Sequence, residues 1–148
     1  MKPTTTWILI ADGAHARIFA NRGPGKGIEL IDGKFDADHR ATHEIVDDRL
    51  GRTHESVGAT RHAIAAEHDP HRELKHTFAI SLARMLDERR SEHAYDRLVL
   101  VAPPKTLGDL RAALPASVRA LVRAELDKDL TKTPAAELPV HLSAVLAV

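Results

Sequence analysis

The stretch at residues 97–110, RLVLVAPPKTLGDL, constrains the fold more than any other part of the chain. Residues 98–102 form an unbroken apolar run of leucine, valine and alanine, and Pro103 and Pro104 end it. A short apolar run bounded by prolines is typical of a strand buried on both faces of a helix-covered sheet. Helical patterns precede and follow the run, so we expect it to be the central strand of an α/β domain.

Composition limits the classes of protein that the chain can belong to. With 148 residues it is long enough for one domain, residues 1–148, with a real core. Its 21 basic residues equal its 21 acidic ones, so no global charge favours nucleic acid or membrane. The lack of cysteine excludes disulfides and thiol catalysis. Without an apolar run of about 20 residues or a signal-like start, we expect a cytoplasmic protein that makes no membrane contact.

The N-terminal third predicts three strands joined by short turns. They are expected at residues 5–11, 14–20 and 27–32, separated by Asp12-Gly13 and by a glycine- and proline-containing turn. Connections this short favour an antiparallel meander, because parallel neighbours need longer crossovers.

The following segment, residues 33–69, interrupts this pattern. It lacks apolar periodicity, is more acidic than basic, and holds five of the ten histidines. A structureless connection of this length is uncommon inside a compact domain. We interpret it as a long polar excursion, with one short helix near residues 61–67.

The remaining elements are predicted from periodicity and from the positions of prolines. A helix should begin at Asp69-Pro70 and end near Glu92, with one apolar stripe facing the core. After the strand at 97–102, Thr106 and Asp109 resemble a capping box. The later elements are a helix restarting at Pro115 with Val118, Leu121 and Val122 inward, an edge strand at 125–130, and a last helix from Thr133-Pro134 to the C-terminus, in which Pro139 makes a kink or marks the first turn.

This element order is that of a ribonuclease H-like fold, with an antiparallel three-strand meander extended by parallel strands and flanked by helices. A nuclease of that architecture needs several carboxylates around two metal ions. Asp12, just past the first strand, can supply one ligand and Glu73 another, but the central strand ends in Ala102-Pro103 without an acid. The alternative is that Asp12 caps local N–H groups in a turn.

The histidines raise a second metal hypothesis. His39 and His43 with neighbouring acids, or His68 and His71 near the start of the long helix, can supply nitrogen and oxygen ligands. Their spacing is not diagnostic, and a solvated polar loop explains the same residues.

Two further segments have the composition of binding sites. Residues 103–111, PPKTLGDLR, follow the carboxyl end of the expected central strand, where open α/β sheets bind ligands. Lys105 and Arg111 add charge there, and Gly108 leaves room for a ligand; the alternative is an ordinary capped helix with Gly108 packed on the sheet.

The run at 51–58, GRTHESVG, with Arg61 suits phosphate contacts, although ordinary loop chemistry explains it too.

Together these segments resemble the host attachment protein family, a bacterial group named as required for attachment to host cells. The resemblance spans nearly the whole chain and rests on the runs WILIADGAHARIF, GRTHES, DPHRELKHTFA, RLVLVAPPKTLGDLRAAL and KDLT. The family is similar to the middle domain of archaeal and eukaryotic peptide-chain release factors and Pelota. That kinship implies a ribonuclease H-like core and a contact with the ribosome or RNA.

The resemblance also directs attention to particular residues. Release factors hydrolyse peptidyl-tRNA through a Gly-Gly-Gln loop, and this chain has no glutamine, so we expect no catalytic residue and no cofactor. The excursion lies where release factors carry their functional loop. The expected contact residues are therefore Arg49, Arg52, His54, Ser56 and Arg61 in the excursion, with Lys105, Thr106, Gly108 and Arg111 after the central strand.

Three functions follow as hypotheses. The first is a non-enzymatic cytoplasmic binding protein that contacts RNA or the ribosome. The second is a metal-dependent phosphodiesterase or hydrolase that uses Asp12 with nearby carboxylates or histidines. The third is a protein-interaction factor in host attachment.

Overall fold

The protein was analysed as a computed structural model, which describes residues 3–36 and 70–148. The first part holds β1 (Thr6–Ala11), β2 (His15–Asn21) and β3 (Glu29–Asp36). The second part holds, in chain order, α1 (Pro70–Ser91), β4 (Arg97–Val101), α2 (Pro104–Ala113), α3 (Ala116–Arg119), β5 (Val122–Leu126), a 3₁₀ turn (Ala135–Glu137) and α4 (Leu138–Leu142).

The strands in the described residues form one mixed sheet in the order β3-β2-β1-β4-β5. The neighbours β1, β2 and β3 are antiparallel, whereas β1, β4 and β5 are parallel. The predicted α/β class, with a meander extended by parallel strands, is therefore confirmed. Both faces of β4 are buried as expected. β4 is not the central strand that the sequence predicted, however, because the middle of the five strands is β1 and β4 lies beside it.

Alternating side chains of the sheet supply two separate cores. On one face, Trp7 and Leu9 pack with apolar residues of α1 and α2, such as Leu82 and Leu110. On the other face, the alternate residues of β1 and β4 pack with residues of the segment after β5; they include Ile8, Ile10, Val99, Val101, Leu138 and Leu142. Burial of one such side chain stabilises the fold by about 1.5–3 kcal/mol, so both layers are needed.

An aromatic pair joins the C-terminal end of α1 to the sheet. Trp7 stacks on Tyr95 with ring centroids 4.9 Å apart, and the Tyr95 hydroxyl donates to the Leu86 carbonyl at 2.6 Å. Burial raises the pKa of Tyr95 to about 12. The phenol therefore stays protonated and keeps its hydrogen bond across the ordinary pH range.

The boundary between β3 and the polar excursion differs from the prediction. β3 continues to Asp36, so residues 33–36 belong to the sheet and not to the excursion. Phe35 explains the extension, because its ring packs against Phe78 of α1 with centroids 5.9 Å apart. The rest of the excursion, with the helix expected at 61–67 and the Asp69 cap, lies outside the described residues.

The predicted capping box at Thr106 is wrong. α2 begins earlier, at Pro104, and its N-cap residue Pro103 makes no side-chain capping bond. Proline at the first helical position has the right φ and has no N–H to be capped. Thr106 consequently falls inside the first turn, where it is buried.

The bounds predicted for the last strand and the last helix also differ from the observed ones. The helix after Pro115 ends at Arg119, and Val122 opens β5 instead of continuing the helix, so the strand lies at 122–126 and not at 125–130. Valine favours strands, whereas the residues at 127–129 are all charged. The expected final helix is a 3₁₀ turn followed by the short α4, and Pro139 lies in the first turn of α4, one of the two predicted outcomes.

Within the described residues, no helix combines the length and the apolar character that crossing a bilayer requires.

Candidate functional site

The parallel strands β1, β4 and β5 all end at one side of the sheet, which we call the carboxyl edge. The turn at 12–14, the start of α2 and the loop at 127–133 lie there because each directly follows one of these strands. The first turns of α1 lie there too, since Lys75 packs over Gly13. Ligands of open α/β sheets bind at this side, so the side chains of the edge are the natural place to look for function.

Asp12 closes the turn between β1 and β2. Its Oδ1 accepts hydrogen bonds from the backbone N–H groups of Ala14 at 2.8 Å and His15 at 2.6 Å. The side chain is 23% exposed and its Oδ2 lies 3.3 Å from the Thr131 hydroxyl. Oδ1 therefore caps the turn, as the predicted role of a turn-capping residue requires.

The ionisation of Asp12 follows from these contacts. Burial alone would raise its pKa, but the hydrogen bonds from Ala14 and His15, the charge of the nearby His15 imidazole and the Thr131 hydroxyl outweigh burial. The pKa of Asp12 consequently lies below its ordinary value of 3.8. The carboxylate is negative at neutral pH.

The loop at 127–133 folds back over the start of β2. Thr131 has a single hydroxyl proton, and its 2.6 Å contact with Asp129 Oδ1 is stronger than its 3.3 Å contact with Asp12. One Nη of Arg17 donates to the carbonyls of Leu130 and, at 2.8 Å, Thr133. Two regions separated by more than 110 residues along the chain thus meet at the edge.

Arg17 is the most unusual group in this arrangement. Its guanidinium is partly buried beside Phe19, 5.5 Å from the ring centroid, and its Nε is buried without a hydrogen-bond partner. Burial lowers the pKa of Arg17, although the group stays charged. Over residues 3–36 and 70–148, no carboxylate forms an ion pair with Arg17. Among the described residues, this permanent charge is therefore held in a partly desolvated place without a counterion.

A cleft of about 290 Å³ opens beside these groups. Its lining comes from the 12–17 region, the end of β3 and the loop after β5, and includes Asp12, His15, Arg17, Asp36, Thr131 and Lys132. Gly33 also lines the cleft. The cleft has room for a small polar group and offers it both cationic donors and carboxylates.

Exposed lysines stand around the cleft and along the edge. The aliphatic stem of Lys75 packs on Gly13 so closely that a Cβ at Gly13 would come within 2.6 Å of its Cγ. Lys105 is exposed just after β4, and Lys132 is exposed in the loop after β5. We call Lys75, Lys105 and Lys132 the edge lysines.

Four predicted binding residues, Lys105, Thr106, Gly108 and Arg111, lie on α2, and the structure gives them different surroundings. Lys105 and Gly108 are exposed, whereas Thr106 is buried. A Cβ at Gly108 would meet nothing within 4 Å, so this glycine is not packed on the sheet. Arg111 forms a two-pronged ion pair with Glu125 of β5, at 2.9 and 3.0 Å from its Nε, which neutralises its charge.

Most of the other predicted site residues cannot be placed. Arg49, Arg52, His54, Ser56, Arg61, His39, His43 and His68 lie outside the described residues. His71 belongs to the first turn of α1. In the described part of the chain, no three histidine or acidic side chains are grouped as a metal site requires.

The family model described as "Protein required for attachment to host cells" matches residues 7–142. The chain belongs to this family. No curated protein matches the sequence. The family match begins inside β1 and includes the other strands and the carboxyl edge that the structure describes, so this edge is part of the domain that defines the family.

Sequence reasoning missed Lys75, Arg17, Thr131 and Lys132. A signal for Arg17 existed, because it is a charged residue between the apolar Ala16 and Ile18 of a predicted strand. Two of the runs that carry the family resemblance, WILIADGAHARIF and KDLT, contain Asp12, Arg17 and Thr131, and the structure brings these runs into contact. Their meeting could not be read from spacing along the chain.

Proposed function

We propose that the protein is a non-enzymatic cytoplasmic binding protein that contacts RNA or the ribosome through its carboxyl edge. The observation that carries the proposal is the placement of the edge lysines, Lys75, Lys105 and Lys132, which come from three connections and are all exposed. Lysines along one edge suit the phosphates of an RNA strand, because each phosphate contact releases a condensed counterion.

The charge of the edge also sets the expected strength of binding. Asp127 and Asp129 are exposed in the same loop as Lys132, so the edge carries both signs. Because the whole chain is neutral, we expect no strong nonspecific binding to nucleic acid. Salt screens such exposed charges, with a Debye length of about 8 Å at physiological ionic strength, so the interaction should weaken markedly between low and moderate salt.

We further propose that the domain is ribonuclease H-like and akin to the middle domain of release factors and Pelota. What supports this is the strand order, an antiparallel meander followed by a helix and two parallel strands. The kinship would connect the family with translation, and attachment to host cells would then be a remote effect of an intracellular activity.

Asp12 argues for binding in preference to the hydrolase hypothesis. A metal-ligating carboxylate needs lone pairs directed at the ion, whereas Asp12 directs Oδ1 at two backbone N–H groups and keeps only Oδ2, which lies 3.3 Å from the Thr131 hydroxyl oxygen. Its contacts are those of a residue that shapes the turn.

Sedimentation of the tagged protein in lysate through a sucrose gradient tests the proposal. We expect co-migration with ribosomal particles at low salt and partial loss at moderate salt. Charge reversal of the edge lysines, Lys75→Glu with Lys105→Glu and Lys132→Glu, should leave the protein at the top of the gradient.

The matched control reverses three exposed cations at the opposite edge of the sheet or near it, Lys26→Glu, Arg97→Glu and Arg119→Glu. This variant has the same net charge as the first, so it should sediment like the unmodified protein if the carboxyl edge makes the contact. Unmodified protein that stays at the top of the gradient under both salt conditions would overturn the proposal.

A further inference from the structure

We infer that the cleft beside Arg17 binds a phosphate group, supplied either by an RNA strand or by a free nucleotide. The RNA source rests on the proposed function, whereas the nucleotide source does not. The inference assigns a ligand to a cavity that the edge lysines only border.

The strongest argument is that Arg17 pairs with no carboxylate within residues 3–36 and 70–148. One of its two Nη atoms donates to the Leu130 and Thr133 carbonyls, and its Nε is buried without a partner. No carboxylate in the described residues pairs with the guanidinium. A partly desolvated charge without a partner is costly, and a bound anion removes that cost. A guanidinium suits phosphate, because it is a permanent cation whose N–H groups donate to phosphate oxygens.

Other donors of the cleft fit the same ligand. Lys132 is exposed on its rim, and His15 adds an imidazole with ring nitrogens. The cleft volume of about 290 Å³ exceeds what a phosphate needs, so part of an attached sugar fits as well. The two groups come from β2 and from the loop that Arg17 holds, and the fold therefore assembles them.

Two carboxylates line the same cleft and limit how the ligand can sit. Asp12 is negative; its Oδ1 accepts from the turn N–H groups, and its Oδ2 lies 3.3 Å from the Thr131 hydroxyl oxygen. Asp36 is exposed at the end of β3. A phosphate must therefore lie on the side of Arg17 and Lys132, while Asp36 can accept a hydrogen bond from a sugar hydroxyl.

Equilibrium titration of the full chain tests the inference with three probes: inorganic phosphate, adenosine monophosphate and a single-stranded RNA of ten nucleotides. We compare the unmodified protein with Lys132→Ala and with its control Lys128→Ala, which removes the same exposed charge from the same loop outside the cleft. Lys132→Ala should weaken RNA binding about fivefold at low salt, and should reduce the slope of log K against log salt by about 0.7 for one lost phosphate contact. Lys128→Ala should leave affinity and slope unchanged.

Arg17→Met provides a second variant, with folding checked by circular dichroism before titration. A folded Arg17→Met protein should lose binding of the phosphate-bearing probes by tenfold or more, whatever their source.

RNA binding that is equally strong in Lys132→Ala, Arg17→Met and unmodified protein would overturn the inference and leave the proposed function intact. Binding of adenosine monophosphate that both cleft variants weaken, without any ribosome co-migration, would support the inference and sink the proposed function. Failure of all three probes to bind would overturn the inference. The sucrose-gradient sedimentation would then be the test of the proposed function.

Discussion

At the scale of single residues, Gly108 occupies a position where glycine has no visible structural purpose. It lies inside α2, is exposed, and a Cβ there would meet nothing within 4 Å. Glycine in a helix interior costs roughly 0.5–1 kcal/mol relative to alanine. Gly108→Ala should therefore raise the free energy of unfolding by about that amount, measured by urea denaturation.

Gly13→Ala is the informative contrast to that substitution. Here the new methyl group would come within 2.6–2.9 Å of three carbons of the Lys75 stem, which would have to move. We expect no gain in stability and a displaced lysine. If Gly13→Ala stabilised the protein as much as Gly108→Ala, the two sites would not differ in the space around the Cβ atom, and Lys75 would not pack on Gly13 as described.

Asp12 provides a prediction about pH at the same scale. Its pKa is lowered in the folded state, so its contribution to stability is present above its unfolded pKa of about 3.9. That contribution is lost as pH falls through the lower folded pKa. Asp12→Ala should cost about 1–3 kcal/mol at pH 7, because charge-assisted hydrogen bonds to two N–H groups disappear.

The same variant can be followed by urea denaturation from pH 7 down to pH 2. The difference in unfolding free energy between the unmodified protein and Asp12→Ala should shrink as the carboxyl protonates. A difference that is constant over this range would show that the carboxylate charge contributes nothing and that only the shape of the side chain matters.

At the scale of elements, the loop at 127–133 depends on Arg17. The guanidinium donates to the Leu130 and Thr133 carbonyls, in addition to the burial of the Leu130 side chain in the core. Arg17→Met should increase amide hydrogen exchange in peptides covering 128–133, while exchange in β1 and α1 stays unchanged. Arg111→Met is the control, because its ion pair with Glu125 joins α2 to β5 and does not reach the loop. Faster exchange throughout the sheet in Arg17→Met would indicate a general loss of stability instead.

The elements also show what could and could not be predicted from sequence. The strand at Arg97–Val101 was predictable because apolar residues fill it and prolines end it. The meander was predictable because its turns are short. β5 was misplaced, since its residues Val122–Leu126 carry two charges and gain their strand pairing from β4, which no local pattern reports. The contact of Arg17 with Leu130 is likewise tertiary, so the cleft could not be foreseen, whereas the turn role of Asp12 followed from its immediate neighbours.

At the scale of the whole molecule, half of the core depends on a short C-terminal segment. Leu138 and Leu142 are fully buried on one face of α4 and cover Ile8, Val99 and their neighbours on the sheet. α4 itself is only five residues long, so its own helical hydrogen bonds cannot hold it in place. The apolar contacts with the sheet must do so, and the stability of this second layer therefore depends on the burial of Leu138 and Leu142.

Alanine substitutions within α4 test this dependence. Leu138→Ala and Leu142→Ala should each lower the free energy of unfolding by about 2–5 kcal/mol, from lost apolar burial and the cavity that remains. Val140→Ala is the matched control, because Val140 lies on the same helix and is 77% exposed, and we expect a change within about 0.5 kcal/mol. Domains of this kind have about 5–15 kcal/mol of stability in total, so the double leucine variant should be largely unfolded, with loss of near-ultraviolet circular dichroism. A double variant that unfolds cooperatively at the normal urea concentration would show that the face carrying Ile8 and Val99 does not need this cover.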